Sequence, residues 1–282
     1  MGWFAFIIIS VITSTAANLY RRAVMKHDTN DVIASVALFQ ILGAIIIGIV
    51  AFIHGFVFPP ITTYPINFLL SASLWGTATF MLFKASQTLE ASVTTIIVTL
   101  SSFVTIISAI FFLHVPFGPT DLIGTILIIA SVVIVSMKTK TLVLNKGVFY
   151  ALGFCLLAGL AYTNDTYLVH HTNALSYLTV SSFNAGLFLL LIRPKTILKM
   201  KPIFTERKFM RFFIFALFSS VAAMTLIWAI NIGGNIAQIA PIAQSGIILT
   251  VISGDIFLKE NDNMGRKIIA AILVTIGVLL LR

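Results

Sequence analysis

The chain has 282 residues, 59% hydrophobic and 10% charged, with a mean hydropathy of +1.06 and a formal charge of +9. A soluble domain carries about 25% charged residues and has no way to hide this much apolar surface from water, so lipid is the expected solvent for most of the chain. The single cysteine, Cys155, excludes an intrachain disulfide and a cysteine metal centre, and the basic residues fall in the connections between apolar runs, which reads as membrane topology rather than nucleic-acid binding.

A bilayer crossing takes roughly 20 apolar residues. Runs of that kind predict helices over 3–20, 32–53, 66–89, 92–113 and 119–137, then 148–169, 175–193, 210–232, 236–258 and 266–281. Backbone groups in lipid must bond within their own segment, which selects helix; the alternating pattern of a membrane barrel is missing. Turn residues mark the connections: Pro59-Pro60, Gly118-Pro119, Gly233-Gly234 and Asn261-Asp262-Asn263. One connection is long, 194–209. The first run is expected to stay in the protein rather than be cleaved as a signal, because nothing basic precedes it and Arg21, Arg22 and Lys26 follow it. With compact loops, that pattern points to a prokaryotic plasma membrane.

Seventeen of the eighteen Lys and Arg residues lie in or beside the odd-numbered connections, Arg282 being the exception. The positive-inside bias then places odd connections in the cytoplasm and both termini outside.

The order of runs repeats. Residues 105–113 (TIISAIFFL) match 250–258 (TVISGDIFL), and 125–133 matches 271–279 one residue out of register. Phe39-Gln40 in the second run matches Phe183-Asn184 in the seventh, and Gly2-Trp3-Phe4 matches Gly147-Val148-Phe149. Each half holds five runs, an odd number, so the second copy enters the membrane from the opposite side. The expected fold is all-α and membrane-spanning: ten helices in two inverted five-helix repeats, residues 1–140 and 145–282. Inverted repeats are a mark of secondary transporters, with the site between the halves near the midplane.

Two tail patterns carry a family likeness. One runs from Ala240-Pro241 through Ile256-Phe257-Leu258-Lys259-Glu260 to Gly265; the other runs from Ser108 to Leu113 and on to Gly124. Over essentially its whole length the chain resembles the drug/metabolite transporter superfamily, of the EamA type. It departs from the pattern in its first half, with Ile96 facing Pro241 and His114-Val115 facing Lys259-Glu260. The resemblance implies a carrier of small organic solutes, such as amino acids or drug-like compounds, working by alternating access, with runs 1–4 and 6–9 around the cavity and runs 5 and 10 outside it. It implies no enzyme activity. It also implies cytoplasmic termini, opposite to the charge count.

Polar residues inside apolar runs are the candidate solute contacts. Gln40 and Asn184 are repeat-equivalent and central, where an amide needs a partner; a helix-to-helix hydrogen bond is the alternative. Lys84, Asp165 and Asp255 are intramembrane charges. Lys84 is a candidate for an anionic group unless its stem snorkels to the interface. Asp165 is the candidate for a coupling proton, with interfacial capping as the other reading. Asp255 sits one turn from Lys259, which suggests a local ion pair. Asn18, Tyr162 and Asn164 lie at matching depths, and Trp75 and Trp228 offer aromatic walls suited to organic solutes, Trp228 being equally suited to an interfacial belt. Gln244 follows Pro241, whose ring frees a carbonyl and kinks a helix.

His114, His170 and His171 lack the neighbours of a metal site. No phosphate loop or G-x-S-x-G appears, so neither cofactor nor catalytic residues are expected. The partners expected are a solute and the bilayer. The reading is a secondary transporter, with amino-acid or metabolite export leading; the rivals are a lipophilic-cation exporter relying on Asp165, a carrier of phosphorylated solutes relying on Lys84, and a non-transporting membrane protein such as a lipid-handling factor.

Overall fold

The computed structural model describes residues 2–25, 31–89, 94, 97–136, 146–204, 206–246, 248–249 and 264–281. The elements among them are all helical: α1 (Trp3–Met25), α2 (Val32–Ile53), α3 (Pro65–Thr88), α4 (Ser101–Leu113), α5 (Pro119–Ser136), α6 (Lys146–His171), α7 (Ala174–Ile192), a 3-10 stretch Pro194–Phe204, α8 (Glu206–Asn231), α9 (Ile236–Gln244) and α10 (Met264–Leu281). Six of them, α1, α2, α3, α6, α7 and α8, contain segments long and apolar enough to cross a membrane, and shorter apolar helices lie at Ser101–Leu113, Pro119–Ser131 and Ile272–Leu281. Large apolar side chains such as Ile49, Phe52, Leu69, Ile107 and Phe111 point outward from the bundle, the arrangement expected when the surrounding solvent is lipid.

Local chemistry sets where helices begin. Asp31, Asn173 and Asn235 each turn a side-chain oxygen onto a first-turn N–H, of Ile33 at 3.0 Å, Ser176 at 3.1 Å and Ala237 at 2.9 Å, satisfying donors that have no partner within the helix. Pro65 and Pro119 open α3 and α5, at a position where the missing N–H costs nothing.

The most extensive helix contacts cross between the first five helices and the last five: α1 with α8, α3 with α6, α2 with α7, and α5 with α10. Shifting every helix by five maps this pattern onto itself. The α1–α8 contact exchanges with α6–α3 and the α3–α7 contact with α8–α2, while α2–α7, α4–α9 and α5–α10 are their own images. The self-paired helices run antiparallel: Gly48 lies against Thr179 while Gly186 lies against Ala37, and Gly124 lies against Leu281 while Gly277 lies against Ile128.

The fourth and ninth predicted runs differ from expectation, since 92–113 and 236–258 read as continuous helices. Instead a turn at Thr99 and Leu100 precedes α4, and a turn at Ser245 ends α9. These breaks are repeat-equivalent, 145 positions apart (100 against 245). Proline does not explain the first, where Ile96 stands opposite Pro241. A serine accompanies each break: Ser101 Oγ donates to Val98 O at 2.7 Å and Ser245 Oγ to Ile242 O at 2.6 Å, while the N–H groups of Leu100 and Ser245 bond three residues back. Short side-chain-to-backbone bonds of this kind compete with the regular ladder. Side chains of other helices also reach carbonyls around the breaks. Cys155 Sγ reaches Ile97 O at 3.0 Å, Ser102 Oγ reaches Ala240 O at 3.3 Å, and Thr15 Oγ1 reaches Gly246 O at 2.9 Å.

The connections sort onto two faces. On one, Asp31 ahead of α2 bonds Lys199 at 2.8 Å and pairs with Arg193 at 3.4 Å, joining the first connection to the seventh. On the other, Val57 N donates to Ser176 Oγ at 3.1 Å and Asn235 Nδ2 to Pro116 O at 2.7 Å, joining the second connection to the start of α7 and the fourth to the eighth. Burial pushes the Asp31 carboxyl up, but hydrogen bonds from Lys199 and Ile33 N–H outweigh it and hold the group below the usual carboxylate range.

Candidate functional site

Ser71 and Trp75 are four residues apart on α3 and so share one face. That face meets Asp165 of α6, which is 2% exposed. Tyr177 and Ser181, again four apart, bring the first turns of α7 to the same point. Trp75 Nε1–H donates to Asp165 Oδ2 at 2.8 Å; Tyr177 O–H donates to Oδ1, and Ser71 O–H reaches the same oxygen at 3.4 Å. Ser71 Oγ lies 3.0 Å from Tyr177 Oη and 2.6 Å from Ser181 Oγ, closing a hydroxyl network around the carboxylate. Tyr162 packs edge-on against Trp75, with ring centroids 4.9 Å apart.

No Lys, Arg or His forms an ion pair with Asp165 among the described residues. An intramembrane carboxyl group without a cation beside it is costly to ionise, and the groups that reach it here are neutral donors. Bonds to an ionised acceptor are roughly twice as strong as neutral ones. The tie also crosses the halves, because α3 belongs to the first and α6 and α7 to the second.

Polar groups continue from this node toward the even-connection face. Asn67 Nδ2 donates to Asn164 Oδ1 at 2.8 Å, and Asn164 Nδ2 donates back to Asn67 O at 3.0 Å. Beyond them Tyr64 meets Tyr167 and His171, with centroids 6.0 and 5.5 Å away.

The structure thus brings together four residues expected from the sequence, Trp75, Tyr162, Asn164 and Asp165. Interfacial capping, the other reading of Asp165, does not hold: the carboxylate is buried and bonds side chains of two other helices. Ser71, Ser181, Tyr177 and Asn67 were not foreseen; the four-residue spacings Ser71–Trp75 and Tyr177–Ser181 were the only signals available.

The remaining candidates lie elsewhere. Gln40 Nε2 donates to Thr79 Oγ1 at 3.1 Å, the helix-to-helix bond given as its alternative. Gln40 borders Gly186 at the α2–α7 crossing, and Asn184 sits half-buried close by on α7. Lys84 is half-buried about two and a half turns beyond Trp75 along α3, away from the Asp165 node. Asn18 is half-buried on α1. Trp228 stacks on Phe6 at 5.8 Å and meets His54 edge-on at 6.0 Å. Gln244 Nε2 donates to Ser101 Oγ at 3.0 Å, linking the two helix breaks. Asp255 and Lys259 lie outside the described residues.

Among solved structures, one crystal structure superposes on this chain with a TM-score of 0.75, covering 98% of it and 96% of its own length at 11% identity, which is a likeness of fold. No curated protein matches the sequence significantly. The model of the EamA-like transporter family matches twice, over residues 1–137 and over residues 145–282. With both halves matched and the helix contacts mapping onto themselves between them, the chain belongs to the EamA-like transporter family.

Proposed function

We propose that the protein is a secondary transporter of small organic solutes, with ten membrane crossings in two inverted five-helix halves, residues 1–140 and 145–282, that rock against each other. The observation that carries this reading is the exchange of helix contacts under a shift of five: two halves so related can adopt each other's conformation, which is what alternating access requires. In this reading the odd connections are cytoplasmic, as their basic residues favour, and the site lies where α2 crosses α7 and α4 crosses α9, near Gln40, Asn184 and Gln244. Export of amino acids or related metabolites suits a site of amide groups without a fixed charge. A second reading, export of lipophilic cations, is favoured by Asp165, a carboxylate without a cation beside the aromatic rings of Trp75 and Tyr162.

The test begins with thermal unfolding of the purified protein against panels of amino acids, nucleosides, sugar phosphates and lipophilic cations. A ligand at about 100 times its Kd adds roughly 2.7 kcal/mol to the native state. The stabilising class is then offered, radiolabelled, to proteoliposomes preloaded with the unlabelled compound. Saturable exchange, above that of empty vesicles, is the expected result. A folded, monodisperse protein that exchanges no member of any panel would sink the transport reading. Stabilisation by lipophilic cations alone would favour the second reading over the first.

A further inference from the structure

At the repeat-equivalent of the α3–α6 contact, where α1 meets α8, Tyr20 stacks on Phe218 with centroids 5.8 Å apart. One of the two symmetry-related closures therefore rests on an ionisable group and the other on aromatic packing. The ionisable closure lies toward the even-connection face, with the Asn67–Asn164 pair and then Tyr64, Tyr167 and His171 leading out from it.

We propose that Asp165, with Trp75, Tyr177, Ser71 and Ser181, is a proton-binding latch: ionised, it ties α3 to α6 and α7, and taking up a proton from the even-connection face releases α3. This deepens the transport reading and rests on it only for the use to which the latch is put.

The donor inventory gives the mechanism. A carboxylate accepts from every side, whereas an indole N–H can only donate. A proton arriving on Oδ2 puts an O–H against the Trp75 N–H and breaks that bond. A proton arriving on Oδ1 turns the carboxyl into a donor toward Tyr177 or Ser71, whose hydroxyls reverse and pass the change to Ser181. Trp75 then keeps only a neutral acceptor, and its bond weakens by the loss of charge assistance. Either way the Trp75 bond, one of several that join the halves, weakens. The step is a simple proton uptake, reversed when the proton leaves, and no covalent bond other than O–H forms or breaks.

Among the described residues, Asp165 is the carboxyl group inside the node. Tyr177 faces it from α7 and Tyr162 lies on its own helix. From α3 the nearest charge is Lys84, about two and a half turns away. The described part of α4 carries no acid or base, nor does α9, and the charged residues of α8 sit at its opposite end. The histidines of α6, His170 and His171, lie at the outer mouth.

Trp75 is the probe. With Trp3→Phe and Trp228→Phe it is the one remaining tryptophan, and its emission in lipid nanodiscs is followed from about pH 4 to about pH 9, the range spanning ordinary carboxylate and imidazole titration. A second readout is the distance between spin labels at Ile66→Cys on α3 and His170→Cys on α6, in a Cys155→Ser background that keeps a donor for Ile97 O.

The expected result is a single-proton transition in Trp75 emission that accompanies lengthening of the α3–α6 distance on acidification. In Asp165→Asn both should be flat, with the distance fixed at its long value. In Asp165→Glu the transition should return with a moved midpoint, which also serves if the asparagine variant does not fold. The proposal is overturned by emission that does not respond to pH, by a transition that survives in Asp165→Asn, or by a distance that ignores the transition. A latch that titrates in a protein that moves no solute would leave the proton site standing and sink the transport reading; flux with an untitrating Trp75 would do the reverse.

Discussion

Asp31 and Asp165 show how differently one side chain behaves at two depths. Asp31 caps α2 and pairs with Lys199 and Arg193, whose side chains are about half exposed. Its carboxyl is held below the usual range, so its contribution to stability is complete above the ordinary carboxylate pKa and fades as pH falls through the lower native value. Asparagine caps nearly as well as aspartate. Asp31→Asn should therefore cost under about 1 kcal/mol, as exposed ion pairs do, and the loss should shrink in high salt. Asp31→Ala also removes the cap and should cost about 1 kcal/mol more; thermal unfolding in detergent at two salt concentrations separates the two. Asp165 has no such local account. Its position near the end of the sixth run suits an interfacial residue equally well, because the partners that decide its role are 90 and 94 positions away on α3. Residue type was legible at that site; its depth and its pairing were not, since hydrogen bonds between helices leave no trace in local periodicity.

Among the elements, α5 and α10 pack on each other at a point where no side chain fits. A Cβ on Gly124 would lie 2.8 Å from Gly277 O, and a Cβ on Gly277 would lie 2.8 Å from Gly124 O. Backbone on both sides leaves nothing flexible to give way. Gly124→Ala should cost about 1–3 kcal/mol, the range for overpacking, and Gly124→Ala/Gly277→Ala should cost less than the sum of the single changes, because one displacement of the two helices serves both. The melting temperatures of the three variants test this. Apolar runs located most helices to within a few residues, since lipid demands long uninterrupted segments. They missed the breaks before α4 and after α9 because the turns at Thr99-Leu100 and Ser245 interrupt the helix without interrupting the apolar run.

Over the whole molecule, the repeat was legible as an order of five runs recurring at a fixed offset. How the halves meet was not, because the apolar residues that recur are interchangeable. Among the described residues the most extensive contacts all cross between them. Residues 1–140 expressed alone should yield no monodisperse species in detergent, whereas the two halves expressed as separate chains should co-purify, which size-exclusion chromatography decides. The unlike closures have a thermal consequence. At the two repeat-equivalent closures the halves meet differently: Tyr20 stacks on Phe218, whereas the α3–α6 contact carries the hydrogen bonds of a carboxyl group. Apolar association weakens on cooling, so the Tyr20–Phe218 closure loosens in the cold. Temperature alone is thus a bias on that closure: cold favours its opening, and warming draws the rings together again.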